Sequence, residues 1–147
     1  SILPSNRRQI DQAYQMIKRT GSKSVGVLGF SFKAGTDDLR ESPMVELIEY
    51  ILGKGYKVRV YDKNVSLANL QGANRAYIEQ EIPHIATLMA DSINEVLAES
   101  DVIVIGNGSS EFKAVLDKIE DHHTVIDLVR IVQEIDQLDE RYQGICW

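Results

Sequence analysis

The chain has one cysteine in 147 residues, Cys146, so no internal disulfide can brace it. With no general base close by in sequence, this thiol reads as a structural or weakly reactive group rather than a nucleophile. Long apolar runs are also missing. Val102-Ile-Val-Ile105 is strand-length, far short of the ~20 residues a membrane span requires. The N-terminus shows neither a basic-then-apolar leader nor a small-residue cleavage site. Together with the unpaired thiol, this makes the cytoplasm the expected setting. Cations are in the minority: 16 Lys and Arg face 22 Asp and Glu, for a net charge of −6. Nucleic acid is thereby excluded as the main partner, because its binding depends on clustered Lys and Arg displacing counterions. A basic pocket within an acidic protein still suits a small anionic ligand.

What remains is a chain that is 44% hydrophobic, of a size to enclose one core. Its pattern alternates helix and strand. Residues 5–19 carry Ile10, Ala13, Tyr14 and Ile17 at helical spacing, and Gly21 ends the run. Val25 to Phe30 reads as a buried strand. Pro43 opens a helix that Gly53 and Gly55 stop. Lys57 to Asp62 is the next strand, completing a βαβ unit. Residues 63–91 are polar and without a clean period; only Ala86 to Met89 suggests a helical turn. The alternation then resumes with a helix over Ser92–Leu97, a strand over Asp101–Ile105, a helix over Ser110–Ile119 and a strand over His123–Asp127. Ile131–Leu138 reads as a short helix or loop, and Tyr142–Cys146 as an edge strand. The expectation is an α/β, Rossmann-like three-layer domain with a mainly parallel sheet.

In such a sheet, ligands bind beyond the carboxyl ends of the strands. The richest segment there runs Gly29-Phe-Ser-Phe-Lys-Ala-Gly-Thr-Asp-Asp-Leu-Arg-Glu-Ser-Pro43. It places Lys33 and Arg40 in one loop that feeds a helix N-terminus, a seat for a phosphate or diphosphate. In the alternative reading the two cations pair with Asp37, Asp38 and Glu41 on a solvated loop. The glycines stand at 26, 29 and 35, so the dinucleotide fingerprint G-x-G-x-x-G is absent. Asp62 ends its strand where an acidic residue often takes a ribose hydroxyl, or else caps the following turn. His122 and His123 lack partners at metal spacing and read as surface or turn residues, so no metal is expected.

The same segment resembles the G-x-x-F-K-x-x-T-D-D-x-R-E-S-P signature of the UDP-glucose/GDP-mannose dehydrogenase family. Val60-Tyr-Asp62, Ala98-Glu-Ser-Asp-Val-Ile-Val104 and Glu111-Phe-Lys113 agree in order with further family positions, so the resemblance spans nearly the whole chain. Asn107-Gly-Ser-Ser110, in place of the commoner Thr-x-Trp, points to the GDP-mannose branch. The resemblance implies the C-terminal, nucleotide-sugar-binding part of an NAD-dependent enzyme. In that family the sugar 6-hydroxyl is oxidised twice, through thioester chemistry on a cysteine of another segment. It implies that Phe32 and Lys33 hold the nucleotide sugar and that Arg40 reaches the NAD diphosphate. NAD itself would be held mainly by an N-terminal domain, and a homo-oligomer, a dimer in the family, would be supported by a linking helix. Residues 1–20 would end that helix and residues 21–147 form the binding domain, with no catalytic residue and no activity alone. Asp127-Leu-Val-Arg130 shifts by one place the arginine of the family's Asp-Gly-Arg-Asn, which leaves the role of Arg130 open.

Two other classes of function compete. A phosphorelay receiver would need an Asp ending its third strand and a Lys ending its fifth. Here those strands run into Gly106-Asn107 and Asp127. A non-catalytic nucleotide-binding or oligomerisation module would share the fold and the loop.

Overall fold

The computed structural model describes residues 3–29, 43–62, 83–106, 110–128 and 142–144. Helix α1 covers Leu3–Arg19 and is followed by strand β1, Ser24–Leu28; helix α2, Pro43–Gly53; and strand β2, Lys57–Tyr61. Two short helices come next, α3 (Pro83–Leu88) and α4 (Ile93–Glu99), then strand β3, Val102–Ile105. A 3-10 helix, Ser110–Asp117, and strands β4, Thr124–Asp127, and β5, Tyr142–Gly144, complete the order. All four strand pairings are parallel, in the order β2-β1-β3-β4-β5.

A parallel sheet needs cover on both faces, which is why its strands read as apolar runs instead of alternating ones. β3 is buried at every residue, and its side chains divide between two cores. Val102 and Val104 join Val25, Val27, Val58 and Val60 beneath α1 and α2. Ile103 and Ile105 join Leu28 and Val125 beneath α4 and the 3-10 helix. α1 seats Ile10, Ala13, Met16 and Ile17 on the first face, and α2 seats Met44, Val45, Leu47, Ile48 and Ile51 there. Each of these side chains other than Ala13 contributes about 1.5–3 kcal/mol of burial. On the second face α4 lies so close to β1 that a Cβ on Gly26 would stand 2.3 Å from Val96 Cγ1. Ser92 caps α4, accepting a hydrogen bond from the Glu95 N–H.

Several sequence readings shift. β1 stops at Leu28, because Gly29 turns to φ +87°. The helical turn expected at Ala86–Met89 is α3, beginning at Pro83, while Met89 forms a bridge with Val60. The helix expected over Ser110–Ile119 is a 3-10 helix ending at Asp117. β5 takes the sheet edge as expected; residues 131–138 lie outside the described residues. His122 is exposed, whereas His123 is buried; of the surface or turn role expected of the pair, His123 takes the turn. Its Nδ1 accepts from the Glu120 N–H at 2.8 Å, so Nε2 carries the hydrogen and donates to the Leu97 carbonyl, also at 2.8 Å. The imidazole thereby ties the approach to β4 to helix α4.

Edge strand β2 is covered by a clasp. Arg59 reaches from it to Glu95 Oε1 at 2.6 Å and Glu99 Oε2 at 3.2 Å, and to the carbonyls of Thr87 and Met89. Glu95 also accepts from the Asp91 N–H. That backbone hydrogen bond, and then Arg59, hold its carboxyl below the usual carboxylate value. A depressed acid stabilises the fold above its unfolded value, and the contribution is lost as pH falls through the folded value. Glu95→Gln is therefore expected to flatten the acid limb of a stability-against-pH curve measured by urea unfolding; an unchanged limb contradicts this role. His123→Ala leaves the Glu120 N–H and the Leu97 carbonyl without their partner and is expected to cost about 2–3 kcal/mol in the same measurement.

Candidate functional site: the crevice at the sheet's switch point

β1 and β3 are neighbours, yet the chain leaves them in opposite directions. After β1 it continues to α2 on the first face; after β3 it continues to the 3-10 helix on the second. A crevice at the carboxyl ends is the geometric result, and in open parallel sheets this is where ligands bind. The ladder holds its floor one residue past the strands. The Gly29 N–H donates to Tyr61 O at 2.8 Å, Gly106 N–H to Leu28 O at 2.8 Å, and Leu128 N–H to Ile105 O at 3.0 Å. Pro43 starts α2 beside this floor, so the first turn of an 11-residue helix overlooks the crevice.

The expected ligand-holding residues Phe32, Lys33 and Arg40 lie outside the described residues, as do Arg130 and Cys146. Both ends of the segment that carries the first three are described: it leaves at Gly29 and returns at Pro43. Asp62 is described, buried at the end of β2, and Asp127 is buried at the end of β4.

Two features of the rim were not singled out from sequence. Gly106 follows β3 directly, and a glycine closing an all-apolar strand was the available signal. Tyr61, half-buried at the end of β2, packs against the second core. Burial, followed by the charges of Glu111 and Asp62, pushes its hydroxyl above the usual tyrosine value. Glu111 comes from the 3-10 helix, whose fully buried Phe112 anchors it to the core. The crevice rim thus gathers an un-ionised phenol and carboxylates, groups that hydrogen-bond hydroxyls and N–H donors. No cluster of three or more metal-ligating side chains occurs among the described residues, nor does any described helix have the length and apolarity to cross a membrane.

Residues 26–134 match the family described as UDP-glucose/GDP-mannose dehydrogenase family, UDP binding domain. The chain belongs to this family. Over its whole length it is 44% identical to the GDP-mannose 6-dehydrogenase of Pseudomonas aeruginosa, of which it covers 33%. It is 32% identical over 129 residues to the UDP-glucose 6-dehydrogenase of Rickettsia bellii, with 84% of this chain and 28% of the relative covered. Among solved structures, a ternary complex of GDP-mannose dehydrogenase from Pseudomonas aeruginosa superposes with a TM-score of 0.88 at 44% identity, covering 98% of this chain and 33% of that one. The chain thus spans about a third of the length of the curated relatives it matches. The dehydrogenase family match takes in β1 from Gly26, the segment after it, and the whole of α2, β2, β3 and β4.

The Tyr61 shift carries a pH consequence. A raised hydroxyl binds its proton more tightly in the folded state, so its contribution is complete below the unfolded tyrosine value and is lost as pH rises through the folded one. Subtracting the tyrosinate absorbance titration of Tyr61→Phe from that of the parent is expected to reveal a transition above that of a free tyrosine amide. A transition at or below the free amide rules the assignment out.

Proposed function

We propose that the chain is the nucleotide-sugar-binding domain of an NAD-dependent nucleotide-sugar 6-dehydrogenase that oxidises GDP-mannose to GDP-mannuronate, the chemistry that supplies alginate precursor. The observation that carries the reading is whole-chain identity of 44% to GDP-mannose 6-dehydrogenase, against 32% over a shorter span to a UDP-glucose enzyme. The switch-point crevice supports it, because the segment with Lys33 and Arg40 begins and ends there. In this reading Lys33, with Phe32, holds the nucleotide sugar, and Arg40 contacts the NAD diphosphate across a domain boundary. Residues 1–20 end a linking helix that favours a homodimer, residues 21–147 form the binding domain, and the working compartment is the cytoplasm.

NAD, whose part is to accept hydride, does not fit this chain alone. The turn after β1 lacks the glycine spacing that lets a backbone approach a dinucleotide diphosphate. An N-terminal domain must hold it and provide the catalytic cysteine, and the isolated chain is inactive. The second reading, a UDP-glucose 6-dehydrogenase domain, draws on the family's UDP-binding description and the Rickettsia relative.

Calorimetric titration of GDP-mannose, UDP-glucose and NAD+ into the chain tests these assignments. GDP-mannose is expected to bind saturably and the other two at least tenfold more weakly. Lys33→Ala should weaken GDP-mannose by roughly tenfold or more, the loss of a charge-assisted contact of ~1.5–3 kcal/mol. Preference for UDP-glucose would select the second reading, and equal binding by Lys33→Ala would remove Lys33 from the site.

A further inference from the structure

The amino ends of the strands form a second rim, at the opposite end of the sheet from the crevice, and its charges are sorted by side. The strand order β2-β1-β3-β4 sets their sequence. Lys57 opens β2, Lys23 precedes β1, Asp101 precedes β3, and Glu120 and Asp121 lead into the turn before β4. Backbone hydrogen bonds string these positions together: Lys57 N–H donates to Lys23 O at 2.7 Å, Asp101 N–H to Ser24 O at 3.1 Å, and Thr124 N–H to Asp101 O at 2.9 Å. On the β2-β1 side Lys23 and Lys57 are joined by Lys18 and Arg19, which end α1, and by Lys54, which follows α2; all five are exposed. The helix dipole accounts for cations at helix ends. It does not account for Lys23 and Lys57, which stand at strand starts in a chain of net charge −6.

On the β3-β4 side stand the exposed carboxylates of Asp101, Glu120 and Asp121. His122 lies between two of them, 3.9 Å from Asp101 and 3.6 Å from Glu120. A hollow of about 290 Å³ opens beside Glu120, lined also by Leu97, Ala98, Lys118 and His122, with room for the end of an entering side chain. Charges on both sides are held in place. Lys23 Nζ sits 4.2 Å over the Tyr56 ring, Lys54 Nζ lies 5.3 Å from the Tyr50 ring, and Asp101 Oδ2 accepts from the Ser22 hydroxyl at 3.0 Å. Side chains already ordered lose less freedom on association.

A rim that is basic on one half and acidic on the other matches itself after a half-turn. Rotation about an axis through the boundary between Lys23 and Asp101 lays each half on its opposite. We infer that the amino-end rim is a self-association surface whose occupant is a second copy of this chain. The pair is closed and two-fold, with Lys23 and Lys57 of each copy facing Asp101 and Glu120 of the other. This stands apart from the proposed function, whose homodimer uses residues 1–20, and the test leaves that helix intact.

Sedimentation velocity compares the full chain with two doubly reversed variants, Lys23→Glu with Lys57→Glu and Asp101→Lys with Glu120→Lys, each first shown by circular dichroism to be folded. Lowering salt from about 0.5 M to about 0.02 M lengthens screening from roughly 4 Å to roughly 20 Å, and the parent's mass is expected to double. A pair formed through α1 would set the high-salt mass and leave the doubling in place. Either variant alone is expected to associate at least roughly tenfold more weakly at low salt. Mixed in equal amounts, the two variants are expected to recover the parent's low-salt mass, because one rim is then acidic throughout and the other basic throughout. A parent mass indifferent to salt, variants that associate as the parent does, or a mixture that stays apart overturns the inference. Growth beyond the doubling overturns the two-fold arrangement. Should a double variant fail to fold, Lys57→Glu and Glu120→Lys take its place under the same criteria; both side chains are exposed, and the bond to His123 uses the Glu120 backbone.

Discussion

The parallel pairing of β1 with β3 is the constraint on which the other features rest. Val25 to Leu28 stands in register with Val102 to Ile105, and the pair lies inside the sheet, so both faces of both strands must be buried. Valine, leucine and isoleucine fill it, except at Gly26, where α4 packs too closely for a side chain. Cover on both faces in turn requires helices on both, so the connections after β1 and β3 part company. The crevice follows from that parting rather than from any one side chain. Its floor continues the same ladder: the hydrogen bonds at Gly29, Gly106 and Leu128 extend the strand register by one residue.

The two halves of the molecule bear different demands. At the amino end of the sheet, the buried imidazole of His123 joins a turn to α4, and at edge strand β2 the Arg59 clasp covers backbone that would otherwise invite another strand. Arg59 and its partners remain a quarter to a half exposed, so screening keeps each pair's contribution small. Their use is geometric, holding α3 and α4 beside β2. Polar groups thus secure the periphery while the apolar ladder sets the carboxyl edge.

Much of this was legible in the sequence because strand and helix periods differ. Val102-Ile-Val-Ile105 and Met44-Val45-Leu47-Ile48-Ile51 announce a buried strand and an amphipathic helix by pattern alone, and both stand where expected. The alternation between them fixes the sheet as parallel. The region before α4 was not legible, because α3 has six residues, too few for a helical period to stand out from a polar context. The burial of His123 was not legible for a related reason: a buried polar ring depends on hydrogen-bond partners, here at Leu97 and Glu120, and no local pattern reveals the first. For the candidate site, the charges at Lys33 and Arg40 were plain in sequence, whereas the close packing at Gly106, where a Cβ would stand 2.2 Å from the Gly29 carbonyl oxygen, was hidden. It comes from atoms that approach across the sheet.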